Sequence, residues 1–151
     1  MANTDLLATI EKACRVATED LRVRANDLTG TEVIAEEEFV PRFDAAKDYT
    51  GFPVGSPVYE EINGEKQVYK LLQPHNASIY PSDTPASLPA LWSICHTTDS
   101  TKAKPFMPPN GTSGMYMKDE CCKHNGTVYR CKADNNVYSP SEYAENWEVV
   151  G

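Results

Sequence analysis

Two Asn-Gly dipeptides, Asn63-Gly64 and Asn125-Gly126, constrain this 151-residue chain more than any other feature of its sequence. Each sits between short alternating stretches, "VYEEINGEKQVYK" and "CCKHNGTVYRC". Asn and Gly both tolerate positive φ, so Asn-Gly at the two central positions of a tight loop specifies a type I′ β-hairpin. In the second hairpin that loop sets Lys123 opposite Val128 and Cys122 opposite Tyr129. Cys122 and Cys131 then share one face as diagonal neighbours, while Cys121 points the other way. Diagonal Cα separations are about 7–8 Å, at or beyond disulfide reach, so buried free thiols are expected.

The surrounding landmarks recur in the same order. Val68-Tyr69-Lys70 answers Val128-Tyr129-Arg130, Pro81 or Pro85 answers Pro140, and Trp92 answers Trp147. A tyrosine, Tyr49 or Tyr116, precedes each copy's first strand. The first copy has two more residues between its Gly and its Val-Tyr pair, an insertion that preserves which side chains point inward. Ordered recurrence of this kind reads as a tandem duplication. Modules this small need their largest side chains inside, so Tyr69, Trp92, Tyr129 and Trp147 are the expected core anchors.

Residues 4 to 28 carry a helical pattern instead. Leu7, Ile10, Cys14, Ala17, Leu21 and Leu28 fall at alternating spacings of three and four, with Arg24 interrupting the stripe. Such a stripe suits an a/d seam with a neighbouring helix, or one face laid on the chain's own domain. Asn3 or Thr4 can cap its start and Gly30 can end it. The following Glu36-Glu37-Glu38 does not supply two carboxyls in distinct environments, so it reads as a solvated run. Pro41, Pro53 and Pro57 then mark passage into an all-β region. The expected fold is α+β and mainly β: an amphipathic helix followed by two small three-stranded antiparallel modules. The corresponding segments are 1–43 for the helical part, 44–98 for the first module, 99–114 for a linker and 115–151 for the second.

Charge and motifs narrow the function. A net charge of −8 with no basic run argues against a nucleic-acid groove or an anionic membrane surface. The start lacks a basic leader followed by an apolar stretch, and an odd count of five cysteines suits a reducing cytoplasm. No nucleophile elbow, phosphate loop, His-Glu metal motif or paired carboxylates occur, so neither catalytic residues nor a cofactor are expected. Cys121-Cys122 with His124 matches no zinc spacing, so no metal site is expected.

The order of tyrosine, strand, Asn-Gly, aromatic-basic-Cys, proline and closing Trp resembles the small chitinase-type carbohydrate-binding module. "YMKDECCKHNGTVYRCKADNNVYSPSEYAENWEVV" carries it most completely, and "VYKLLQPHNAS" followed by "LPALW" carries a first form with His75. The two copies span roughly residues 44 to 150. Helix, acidic linker and paired modules together resemble bacteriophage head-fibre and capsid-decoration proteins. That resemblance implies a non-enzymatic virion surface protein made in the host cytoplasm. Its amino segment would attach to the major capsid protein or another virion protein. It would also form a homo-oligomer, a trimer by preference, through Leu7, Ile10, Cys14, Ala17 and Leu21. Glycans are the ligands implied, and a purely structural decoration protein or a tail adhesin are the alternatives. One departure matters. Where the family places tandem aromatics that stack on sugars, this chain has Gln73-Pro74 and Ala133-Asp134. Tyr80, Tyr138 and Tyr143, in the loops before each closing Trp, are the replacement candidates.

Overall fold

Helix α1 occupies Ala2–Arg24 and runs through a 3₁₀ turn, Ala25–Asp27, before the chain becomes extended at Leu28. The computed structural model describes residues 2–151, with side chains from Asp5 onward. The caps expected at Asn3 or Thr4 therefore concern side chains outside the described ones. Gly30 does not end α1; it opens a second short helix, α2 (Gly30–Ala35). The cause is a capping box: Glu32 N donates to Thr29 Oγ1 at 3.2 Å, and Thr29 N donates to Glu32 Oε1 at 3.1 Å. Glycine is needed at residue 30 for close approach, because a Cβ there would lie 2.4 Å from the His96 carbonyl oxygen.

Two sheets follow. The first is antiparallel in the order β1 (Pro57–Ile62), β2 (Glu65–Leu71), β3 (Trp92–Ile94). The second has the order β4 (Lys104–Pro105), β5 (Cys121–His124), β6 (Thr127–Cys131), β7 (Trp147–Val149). Its last three strands are antiparallel, as expected, and the two-residue β4 adds a fourth, parallel to β5. The chain is thus α+β with most of its order in sheets.

The duplication is visible in the register. Tyr59↔Val68, Val58↔Tyr69 and Leu71↔Trp92 in the first sheet correspond to Lys123↔Val128, Cys122↔Tyr129 and Cys131↔Trp147 in the second. Both hairpins turn on Asn at φ 55 and 51 and Gly at φ 80 and 79, the I′ signature. The first hairpin is longer by two residues in each arm. Gln67, just inside that extension and in the place of Thr127, is buried and donates from Nε2 to the Pro105 carbonyl at 2.8 Å, so β2 docks the second repeat on the first. Even β4 has a counterpart, a parallel bridge between Arg42 and Tyr59. The repeats as folded therefore begin at Pro41 and Lys104. Phe43 and Phe106, which follow, belong to the two cores although they lie in the stretches read as helical segment and linker.

Each core is built on the same aromatic trio. Phe43 stacks on Tyr49 at 5.6 Å and Phe106 on Tyr116 at 5.2 Å. Trp92 and Trp147 meet those tyrosines edge-on, both at 5.3 Å. Each buried tyrosine hydroxyl accepts a backbone N–H, from Asp44 at 2.9 Å or Met107 at 3.1 Å. Tyr69 is buried with the first trio and Tyr129 packs, half-buried, on the second.

The opposite face of β2 carries Val68, which with Cys95 is covered by Leu21, Ala25, Val33, Ile34 and Val40. The last turn of α1 thus belongs to the chain's own core. Leu21, expected on an oligomer seam, is fully buried there and is not available to a partner. The reason is that α1 reaches the sheet only at its end. Leu7 and Ile10, on the same stripe, are 59% and 49% exposed, Cys14 is exposed and Ala17 half-buried. Residues 2 to 20 overhang the body by roughly 28 Å at 1.5 Å per residue. Arg24 breaks the stripe because it is an anchor: it bonds Asp20 at 2.8 Å and Glu36 at 2.9 Å. Glu37 pairs with Lys104 of β4, so two of the three adjacent glutamates hold elements together.

All five cysteines are free thiols. Burial pushes Cys95 and Cys122 up to about 12, which leaves them protonated and inert near neutrality.

Candidate functional site

The loops that lead into each closing Trp carry the exposed aromatics. In the second repeat the chain leaves β6 and is caught by Asn136, whose side chain is buried. Asn136 Oδ1 accepts from Tyr138 N at 3.1 Å and from Asn146 Nδ2 at 3.1 Å, and its Nδ2 donates to Tyr138 O at 3.2 Å. Trp147 Nε1 donates to that same carbonyl at 3.0 Å. The core tryptophan therefore fixes the backbone of an exposed tyrosine.

Beyond it, Ser139 and Glu142 form a reciprocal box, Ser139 N to Glu142 Oε1 at 3.0 Å and Glu142 N to Ser139 Oγ at 3.1 Å. Tyr143 N then donates to Ser139 O at 3.0 Å. His124 Nε2 and Ser141 Oγ lie 2.7 Å apart and tie the loop to β5. The result is a pair: the Tyr138 and Tyr143 rings have centroids 5.8 Å apart at 45°, with 49% and 44% of the residues exposed. The Tyr143 hydroxyl donates to Glu145 Oε2 at 3.2 Å, and this bond and the neighbouring negative charge raise its pKa. Exposed rings on a braced loop, here tilted to one another, can stack on apolar ligand faces at small entropic cost.

Tyr80 lies apart from that pair, in the equivalent loop of the first repeat, and is 61% exposed. It flanks a cleft of about 320 Å³ whose walls include Pro74, Ile79, Leu88 and Leu91, with His75, Asn76 and Asp83 supplying polar groups. Trp92 Nε1 donates to His75 Nδ1 at 3.0 Å, so this Trp too braces its loop. Gln73 donates to Ala90 O at 3.2 Å and serves the loop's own structure.

The three tyrosines named from the sequence are all exposed, but nothing in the sequence showed what positions them. Asn136 and His75 look like ordinary loop residues, and only the Ser139-x-x-Glu142 spacing is a recognisable box signal. Among the described residues no group of three or more His, Cys, Asp and Glu side chains is placed to hold a metal ion. The helix residues Leu7, Ile10, Cys14 and Ala17 lie on the overhang, remote in character from these loops: an apolar face on one straight element. No described helix is long and apolar enough to cross a membrane. Neither a protein-family model nor a curated protein sequence matches this chain.

Proposed function

We propose that this chain is a non-enzymatic display protein that holds glycans through its paired tyrosines. The resemblance of its repeats and arrangement makes a bacteriophage virion, head fibre or capsid decoration, the setting that fits. The observation that carries the reading is the Tyr138–Tyr143 pair, exposed yet braced by Asn136 and Trp147. An exposed aromatic pair held by a small core is the usual form of a sugar-stacking platform, and this loop rebuilds one where Ala133-Asp134 leaves the family's own position empty of aromatics.

The amino end supports the other half of the proposal. A helix of about 19 residues beyond its own body is marginal in water unless something covers its apolar face. That face, Leu7, Ile10, Cys14 and Ala17, continues the stripe that Leu21 and Ala25 bury at home. Identical helices from further copies, three by preference, or the major capsid protein would cover it on the particle.

The test is a glycan array probed with the full chain and with Tyr138→Ala and Tyr143→Ala. Retention that survives high salt and is lost in both variants supports the reading, because stacking is not a charge interaction. Absence of any retained glycan would favour a purely structural decoration role, which the replaced aromatics at Gln73-Pro74 and Ala133-Asp134 also suit. Labelling of intact particles checks the setting.

A further inference from the structure

The two repeats differ at one position that faces a ligand-sized cleft. Tyr49 N donates to His75 O at 2.8 Å, and Tyr116 N donates to Asn136 O at 2.9 Å, so His75 and Asn136 are equivalent. Asn136 spends both ends of its amide inside its own loop. His75 does not. Its Nδ1 accepts from the Trp92 indole, and in a neutral imidazole this puts the proton on Nε2. That Nε2–H is buried and has no partner among the described residues. Buried donors are ordinarily satisfied, and this one belongs to a residue in the wall of the Tyr80 cleft.

The cleft's other groups restrict its ligand. Ile79, Leu88, Leu91 and Pro74 give an aliphatic wall, which would strand the hydroxyls of an ordinary hexose but suits a methyl group. The exposed Tyr80 ring gives a stacking face. Asp83 can accept from a hydroxyl, and it opposes an anionic ligand, as does the net charge of −8. Nε2 is covered in the free protein, so a ligand oxygen reaches it after a rotamer change at the rim, a common adjustment at binding surfaces.

We infer that the first repeat's cleft binds a neutral sugar bearing a methyl group, either a 6-deoxyhexose or an acetylated sugar. Tyr80 stacks on the ring, the methyl packs on Ile79, Leu88 and Leu91, and His75 Nε2–H donates to a ligand oxygen. This rests on the glycan-holding reading above and adds a second, more selective site to it.

The test is an NMR titration of the full chain followed at the Trp92 indole N–H, which the His75 bond places next to the site. The free sugars are compared in pairs, L-rhamnose against L-mannose and N-acetylglucosamine against N-formylglucosamine. The proposal expects the Trp92 signal to shift with a methyl-bearing sugar that binds about fourfold or more tightly than its unmethylated partner. Whichever pair discriminates identifies the 6-deoxy or the acetyl source. Tyr80→Ala should abolish the shift, and Tyr138→Ala and Tyr143→Ala should leave it unchanged. Equal affinity within both pairs overturns it. So does binding that is lost only in the Tyr138 or Tyr143 variant, which leaves the glycan reading intact. No binding by any of the four sugars, together with an empty glycan array, overturns both.

Discussion

His96 should make this protein acid-sensitive, and the structure gives the size of the effect. The residue follows β3 at the junction of the repeats, buried, with its ring stacked on Tyr116 at 3.8 Å and 16°. Gly114 O lies 2.9 Å from Nε2 and can only accept, so Nε2 carries the proton of the neutral ring. Burial lowers its pKa from 6.5 to about 4, outweighing the bond to Gly114, which acts the other way. The folded form therefore holds a neutral ring that the unfolded chain protonates near 6.5. Stability is fully present above that pH and is lost as pH falls towards 4. At ~1.4 kcal/mol per pH unit the loss reaches about 3 kcal/mol by pH 4, of which about 2 kcal/mol is gone by pH 5. For a chain of this size that is roughly 6–12 °C in Tm. Glu120, which lines a surface cleft together with His96, is raised by burial and works in the opposite direction, as does Glu60, so the wild-type curve alone does not isolate the imidazole. His96→Gln keeps a donor for Gly114 and removes the titration. Urea unfolding of both proteins from pH 7 to 4 should show the wild type losing about 3 kcal/mol relative to the variant. Parallel curves would refute the assignment of a buried neutral imidazole at the junction.

Replacing Trp147 by Ala should cost about 3–5 kcal/mol, enough to abolish cooperative folding of the second repeat, as calorimetry would show. Leu21→Ala should cost about 2–5 kcal/mol, whereas Leu7→Ala and Ile10→Ala should leave monomer stability within about 0.5 kcal/mol and weaken association read by sedentation-equilibrium mass. Should Leu7→Ala destabilise an isolated monomer as much as Leu21→Ala, the overhang is packed on its own chain. Gln67→Ala strands the Pro105 carbonyl and should cost about 1–3 kcal/mol, seen as earlier loosening between the repeats in hydrogen exchange.

The hairpins were legible because Asn63-Gly64 and Asn125-Gly126 fix turn type locally, and turn type fixes register. Everything derived from them, including Lys123 opposite Val128 and free Cys122 and Cys131, is found in the structure. The repeat boundaries were less legible. The parallel pairing of Arg42 and of β4 is a long-range contact of one or two residues, too short to leave periodicity. Gly30 misled for a physical reason: close approach to His96 and helix termination both call for glycine, and only the Thr29-x-x-Glu32 box separates them. The stripe on α1 was read correctly as a stripe, but no pattern in it marks where the sheet ends and the overhang begins. At the tyrosine loops, Tyr138 and Tyr143 were singled out by their place before the closing Trp, while their pairing depends on Asn136, a residue that looks unremarkable until Tyr138 and Asn146 are in place around it.

The way α1 enters the body bears on mechanics. If its free end is fixed to a large object and the tyrosine loops hold another, tension runs down one helix into Leu21 and Ala25, and thence into Val68 of the middle strand. From there it divides, through Gln67 to the second repeat and through Trp92 to the first loop. Lys104 and Glu37 give the second repeat a separate tether to the helical segment that bypasses the first sheet. A pull between the two ends is thus shared by two routes in parallel, and neither Asn-Gly hairpin has to open for the load to pass.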